Sequence, residues 1–395
     1  MSDDLPTVRL RPRKGRRYLD GYPWLYDDEL VLDRRTKALA PGTVARLETA
    51  ERGGAGVVAL NPASGIAARE LTRDETLGAD WLGERLARAL ALRERLYDAP
   101  FYRLCNAEGD RLPGLVVDRF GDVLAVQPNT AWAEGALPAI LDALRALLSP
   151  RSIVVNRDAR GRGQEGMETG GREVVGEPLD APIPVPRAGA TLMADLLGGQ
   201  KTGLYFDQAE NHAFAARLAK GRTLLDAYAH VGGFALAALA AGAEAAVALD
   251  SSEPALAMAE QGADASGVAK RFEARKGDAV KAMQAMAEAG EAFDVVVTDP
   301  PAFAPSKASL DAGLRAYART ARAAVPLVAQ RGVLVACSCS HAVTAEALRE
   351  VTASALARAG RHGRLMRVGR AGPDHPTHPA LSEGGYLKAL FVALD

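Results

Sequence analysis

The hydrophobic rhythm of the chain changes twice along its length. Up to about residue 75, short apolar runs such as Thr43-Val44-Ala45-Arg46-Leu47 and Gly56-Val57-Val58-Ala59-Leu60 are separated by Gly, Pro and Asn, which predicts a small β-barrel. From about Asp80 to Tyr97 the spacing turns helical, with Leu82, Leu86, Ala89, Leu92 and Leu96 three or four apart. A middle segment to about residue 188 then alternates. Its apolar runs predict a hairpin of Leu115–Asp118 with Val123–Val126, a helix from about Ala131 to Leu148 and a strand over Ser152–Val155. The Gly- and Arg-rich stretch Asp158 to Gly171 is expected to be an exposed loop.

From about residue 189 the pattern is strand, helix, strand, helix. Strands are predicted over Thr223–Ala227, Ala245–Leu249, Phe272–Arg275, Phe293–Thr298 and Val333–Ala336. Helices are expected at Phe234–Ala241, Pro254–Ser266 and Ala279–Ala289, with a long one from about Ser309 to Ala329. Strands of Val and Leu joined by helical crossovers predict an α/β, doubly wound parallel sheet, whose ligands bind at the carboxyl ends of the strands. The expected domains are thus 1–75, 76–188 and 189–395.

Composition narrows the class. The chain has 395 residues, 48% of them hydrophobic and 25% charged, with 48 basic against 49 acidic side chains. No basic-then-apolar leader opens the sequence, and no apolar run approaches the roughly 18 residues of a membrane helix, so a cytoplasmic protein is expected. Three cysteines do not suggest a disulfide framework. A net charge of −1 excludes a polycation, yet Arg9, Arg11, Arg13, Lys14, Arg16 and Arg17 concentrate positive charge near the start and make a candidate nucleic-acid surface.

Candidate chemistry gathers at the predicted strand ends. Asp226 leads into Ala229-His230-Val231-Gly232-Gly233-Phe234, where glycines let backbone approach a ligand closely. Asp250 follows 24 residues later, suited to holding ribose hydroxyls, and Asp278 and Asp299 come after the next two strands. Tyr228 and Ser251 stand in the same turns. The first turn lacks the G-x-G-x-x-G spacing of a pyrophosphate cradle, whereas acidic residues suit a cationic sulfonium cofactor, S-adenosylmethionine.

Asp299-Pro300-Pro301-Ala302-Phe303 closes strand four, in the form that brackets a planar group in methyltransferases of this fold. Cys339, just beyond strand five, is the candidate nucleophile. C5 of cytosine attacks a methyl group only after a thiolate adds to C6, and Asp299 is the candidate acid at N3. Cys105 and Cys337 are expected to be small buried hydrophobes. The C-x-C spacing lies outside the usual zinc pattern, so His375 and His378 are expected to order a loop and no metal is predicted.

With these residues the chain resembles the RlmI-like family of bacterial large-subunit ribosomal RNA cytosine-C5 methyltransferases over nearly its whole length. Gly21-Tyr22-Pro23-Trp24 with the preceding basic strand is similar to the family's N-terminal PUA domain, and Glu108 to Leu115 with Val117-Asp118-Arg119 to its middle domain. Gly199 to Gln208 is similar to the segment that folds over the cofactor, which implies roles for Gln200, Lys201, Thr202 and Tyr205. Ser338-Cys339-Ser340 matches the motif of the catalytic cysteine, and Asp374-His375-Pro376 and Tyr386-Leu387-Lys388 match C-terminal signatures. Tyr22 stands where the family usually has His, and Ala302 stands where two-cysteine enzymes carry a second thiol.

The resemblance implies a mostly parallel seven-stranded methyltransferase sheet and a 23S ribosomal RNA substrate gripped through phosphates by Arg11, Arg13, Lys14, Arg16 and Arg17. The target base is expected to flip into a pocket bounded by Pro300, Pro301 and Phe303, and a homodimer is compatible with the family. Two other readings stand beside it: a same-fold RNA methyltransferase acting on a guanine nitrogen, and a non-catalytic RNA-binding assembly factor.

Overall fold

The computed structural model describes residues 5–49, 53–199, 203–381 and 385–395. The chain divides into two compact units, one of residues 1–180 with 200–202 and 373–384, the other of 181–199, 203–372 and 385–395.

The first unit holds two five-stranded sheets. In the N-terminal one, Thr7–Arg9 runs parallel to Thr43–Thr49, which pairs antiparallel with Gly53–Leu60, followed by Ala68–Thr72 and Trp24–Leu25. Strict alternation along Thr43–Thr49 buries Ala45 and Leu47 with Val58, Leu60 and Tyr18. In the second sheet the expected hairpin is Leu115–Phe120 with Val123–Pro128, and Ser152–Asn156 lies parallel to the latter. Helices Trp81–Glu94 and Leu137–Leu148 supply Leu86, Leu90, Ile140 and Leu144 to its core.

Two local expectations change here. The helix predicted from Ala131 to Leu148 is two helices, Ala131–Gly135 and Leu137–Leu148, with a proline in the first turn of the second. There proline's missing N–H costs nothing. The stretch 158–171 is only partly an exposed loop: Arg162 and Glu165 are 3% and 4% exposed. Glu165 takes hydrogen bonds from Asn61 and Ser64 and an ion pair from Arg69, and Arg162 pairs with Glu134. Their charge is buried because it is compensated.

The second unit is built on a seven-stranded sheet: β1 (Thr223–Ala227), β2 (Ala245–Asp250), β3 (Phe272–Lys276), β4 (Phe293–Thr298), β5 (Val328–Ser338), β6 (Gly363–Gly369) and β7 (Lys388–Leu394). The spatial order is 3-2-1-4-5-7-6, with β7 antiparallel between β5 and β6 and β1 to β5 mutually parallel. The order reverses between β1 and β4, where open α/β sheets place their ligands. Helices Ala209–Leu218, Gly233–Ala240, Glu253–Ala265, Ala279–Glu288, Leu310–Ala324 and Ala345–Arg358 accompany it. Leu225, Leu249, Met283, Val296, Tyr317 and Leu334 meet in one core.

Two boundaries differ from expectation. The long helix ends at Ala324 rather than Ala329, because Pro326 has no N–H to continue it. β5 accordingly starts at Val328, opposite Phe293, and reaches Ser338. A separate hairpin pairs Ile183–Arg187 with Ala190–Ala194, so the boundary expected near residue 188 falls in its turn.

Candidate active site

The turn after β1 is held in an unusual backbone. Tyr228 and His230 take φ of 64° and 50°, and Gly232 takes 77°. Left-handed conformations cost a residue with a Cβ about 1–2 kcal/mol, so neighbouring contacts must compensate. One is Asp250, the last residue of β2: its carboxylate accepts from His230 N at 2.9 Å and from Ser252 N at 2.8 Å. The acid therefore braces two turns and keeps lone pairs for a further donor.

Asp226 lies inside β1, 1% exposed. Its Oδ2 accepts from Ala235 N at 3.1 Å, while Oδ1 has no hydrogen bond. Burial, with the Asp299 charge nearby, pushes its carboxyl up to about 8. His212, from helix Ala209–Leu218, packs edge-on against Phe234 at 4.4 Å, and its Nδ1 also lacks a hydrogen bond. Burial pushes this imidazole down to about 3, so it is neutral. Gly233 allows the approach: a Cβ there would lie 2.4 Å from His212 Cε1.

These groups line one pocket. Of the residues singled out from the sequence, it brings together Tyr205, Asp226, Tyr228, Gly233, Phe234 and Asp299; it adds Gln208 and His212, to which the sequence assigned no role. Gly232, Asp250, Ser251 and Asp278 lie outside that lining. Ser251 is exposed, and Asp278 caps helix Ala279–Glu288 by accepting from Lys281 N at 2.9 Å. Gln200, Lys201 and Thr202 fall outside the described residues.

Beside the pocket stands the segment with the cysteine. Asp299 N donates to Ala227 O at 3.1 Å, tying β4's end to β1. Pro300 is buried, Pro301 exposed, and the Phe303 ring lies 5.0 Å from that of Tyr317 and 6.4 Å from that of Tyr228. Cys339 is half-buried with its sulfur 4.0 Å from Pro300 O. The Tyr205 phenol is pushed well up by burial, then by the nearby Asp207, Cys339, Asp299 and Asp250. Cys337, inside β5, and Cys105 are buried thiols pushed well up by desolvation.

Ser338 and Ser340, flanking Cys339, are fully buried. Ser338 Oγ donates to Tyr317 OH at 2.9 Å, Tyr317 OH and Ser340 Oγ are 2.8 Å apart, and Ser340 Oγ accepts from Ala304 N at 3.0 Å. Lys388 Nζ donates to Ser340 O and Tyr386 O, each at 2.7 Å. Tyr386 OH in turn donates to Asp207 at 2.6 Å. Tyr317 carried no motif that marked it, and Asp207 and Lys388 stood only within longer signatures.

In the first unit the basic cluster lies beyond the strand Thr7–Arg9, in a turn and the short helix Arg16–Leu19. Arg11, Arg13, Lys14, Arg16 and Arg17 are all exposed. Lys14 pairs with Asp28 at 2.8 Å and Arg16 with Asp20 at 3.6 Å, so part of the positive charge is compensated locally. Arg17 lies 3.8 Å over the Tyr22 ring, and Arg11 donates to Leu30 O. In the same unit His375 is buried against Asp374 at 2.8 Å, and Asp374 also accepts from Arg103 N.

Fold and pocket together define an α/β domain with a cavity at the carboxyl ends of its central strands, and family comparison gives its class. Residues 157–391 match the S-adenosylmethionine-dependent methyltransferase model and residues 8–73 a PUA-like domain. A protein of Cronobacter sakazakii named ribosomal RNA large subunit methyltransferase I is 33% identical over 390 residues, covering 97% of this chain and 98% of that one. A protein of the same name from Escherichia coli is 33% identical over 404 residues, covering 97% and 98%. This chain belongs to the ribosomal RNA large subunit methyltransferase I family of S-adenosylmethionine-dependent methyltransferases. The fold is shared with a Streptococcus mutans protein described as a SAM-dependent methyltransferase (TM-score 0.81, 14% identity, 98% and 100% coverage) and with a methyltransferase complexed with SAH (0.83, 15%, 98% and 100%).

S-adenosylmethionine fits the residues present. Among the described residues, three buried polar atoms without partners, Asp226 Oδ1, His212 Nδ1 and Gln208 Nε2, belong to residues lining one pocket, and such atoms are costly unless a ligand satisfies them. A carboxylate there suits a cofactor carrying ammonium and sulfonium charges. No helix among the described residues is long and apolar enough to cross a membrane.

Proposed function

We propose that this protein methylates C5 of a cytosine in 23S ribosomal RNA, with Cys339 as nucleophile and Asp299 as acid. The observation that carries the reading is the seat of the sulfur, 4.0 Å from Pro300 O in the Asp299-Pro300-Pro301 turn. That turn adjoins a pocket suited to the cofactor. The names of the curated relatives support ribosomal RNA of the large subunit as substrate.

Bound S-adenosylmethionine supplies an electrophilic methyl group. Tyr205, Asp226, Tyr228, Gly233 and Phe234 would hold it, with Asp250 bracing the turn. The cytosine ring would lie along Pro300, Pro301 and Phe303. The Cys339 thiolate adds to C6 while Asp299 gives a proton or hydrogen bond at N3, and the electron pair released to C5 takes the methyl group as its C–S bond breaks and the sulfur leaves as a neutral thioether. Loss of the C5 proton to a base then restores the C5–C6 double bond and expels the thiolate, and a proton given to N3 returns to Asp299, regenerating the enzyme. Arg11, Arg13, Lys14, Arg16 and Arg17 would grip phosphates, and domains 1–75, 76–188 and 189–395 would divide RNA binding from catalysis in a cytoplasmic enzyme.

The test uses RNA containing 5-fluorocytosine. Fluorine cannot leave as a proton does, so a covalent protein–RNA adduct accumulates if Cys339 attacks C6. Adduct that survives in Cys339→Ser, or near wild-type methylation by that variant, would sink the mechanism.

A further inference from the structure

Lys388 is an unusual residue to find at this depth, 6% exposed at the first position of β7. Antiparallel pairing sets it opposite Ser338, the residue before Cys339. Its Nζ donates to the carbonyl of Ser340, the residue after Cys339, at 2.7 Å, and to Tyr386 O at 2.7 Å. The ammonium thus ties the residue after Cys339 to the chain leading into β7. Two neutral carbonyls satisfy hydrogen bonds but leave the positive charge uncompensated, and a buried charge calls for a counter-charge.

We propose that the Lys388 ammonium is a positioning residue that keeps the Cys339 sulfur ionised and aimed over the Pro300 turn. The inference rests on Cys339 being the nucleophile, since only the thiolate attacks C6. Tyr205 and Tyr317 stand within electrostatic reach of the sulfur, Tyr205 also within that of Asp299, and His341 lies two positions on, its ring 5.4 Å from that of Tyr386. A carboxylate in the adjoining Asp299-Pro300-Pro301 turn disfavours a thiolate, and the Lys388 ammonium favours one. Burial pushes Lys388 down to about 8, and the Cys339 charge works upward against it. Such coupling is reciprocal: what the thiolate does for the ammonium, the ammonium does for the thiolate.

The experiment follows alkylation of Cys339 by iodoacetamide against pH in the full chain without RNA, read by mass spectrometry. In the wild type the midpoint is expected below the ordinary thiol value of about 8.5. In Lys388→Gln it is expected about one unit or more higher, roughly tenfold less thiolate at pH 7, with Lys388→Arg returning toward wild type. Cofactor binding by calorimetry confirms that each variant is folded. A midpoint unmoved in folded Lys388→Gln overturns the proposal. Should that variant not fold, a wild-type midpoint at or above about 8.5 overturns it as well. A depressed, Lys388-dependent midpoint with no 5-fluorocytosine adduct would instead sink the cytosine-C5 reading and leave the ion pair standing.

Discussion

The hydroxyl of Tyr317 lies 2.8 Å from that of Ser340, and both residues are buried beneath Cys339. Because Ser338 donates to the same phenol, one tyrosine on helix Leu310–Ala324 anchors the residues on either side of the candidate nucleophile. Tyr317→Phe removes the partner the two hydroxyls share, leaving Ser340 Oγ only the bond from Ala304 N and Ser338 Oγ only that from Ser340 N, at a cost of about 1–3 kcal/mol in stability. Turnover on RNA should fall while cofactor affinity stays near wild type, since Tyr317 is absent from the lining of the proposed cofactor pocket. Thermal unfolding and titration calorimetry measure the two sides; a drop in cofactor affinity equal to the drop in turnover would refute this division.

Gly233→Ala forces a Cβ to 2.4 Å from His212 Cε1, against a ring that is itself buried. Overpacking of this kind costs about 1–3 kcal/mol. The expected signature is a lower Tm together with weaker cofactor binding. Gly78→Ala, which meets nothing within 4 Å, serves as the neutral control.

With Asp226 as the proposed cofactor ligand, cofactor affinity should depend on pH. Its carboxyl, raised to about 8, holds a proton in the free protein below that pH. A cationic ligand favours the ionised form, so binding releases the proton and affinity rises with pH. The gain approaches tenfold per unit between about pH 6 and 8, then levels off. Calorimetry at pH 6, 7 and 8 in buffers of different ionisation enthalpy should detect the released proton. Affinity that is flat across this range would show Asp226 already ionised.

RNA binding should weaken linearly on a log–log plot against salt. Arg13 and Arg17 are exposed, whereas Lys14 and Arg16 already face Asp28 and Asp20. Replacing Arg13 and Arg17 by Ala should lower the slope by about 0.7–0.9 for each phosphate that is no longer neutralised; replacing Arg16 should change it less. An unchanged slope in the Arg13→Ala, Arg17→Ala double variant would place the RNA on another surface.

Much of the catalytic unit is readable as pattern. Thr223–Ala227 and Phe293–Thr298 have the bounds that their runs of Leu and Val predict, because strands buried on both faces leave an unbroken apolar signal. The helix ending at Ala324 reads five residues too long, since one Pro competes poorly with a long run of Ala in a periodicity count. Arg162 and Glu165 read as surface residues because composition does not show which charges find partners. Residues of the candidate site are legible where they stand at the ends of strands, as with Asp226, Asp250 and Asp299. They are not legible where a distant element supplies them, as with His212.

The order of apolar and polar residues by itself determined that five parallel strands would bring their carboxyl ends, and hence Asp226, Asp250 and Asp299, to one edge. Local sterics and burial enforce that, and both are written in neighbouring residues. Which side chains then surround the sulfur was decided only by the tertiary structure. The antiparallel insertion of β7 beside β5 sets Lys388 opposite Ser338, 50 residues apart in the chain, and the packing of helix Leu310–Ala324 brings Tyr317 beneath. Pairings across that distance depend on how whole elements bury their faces, and no local pattern records them.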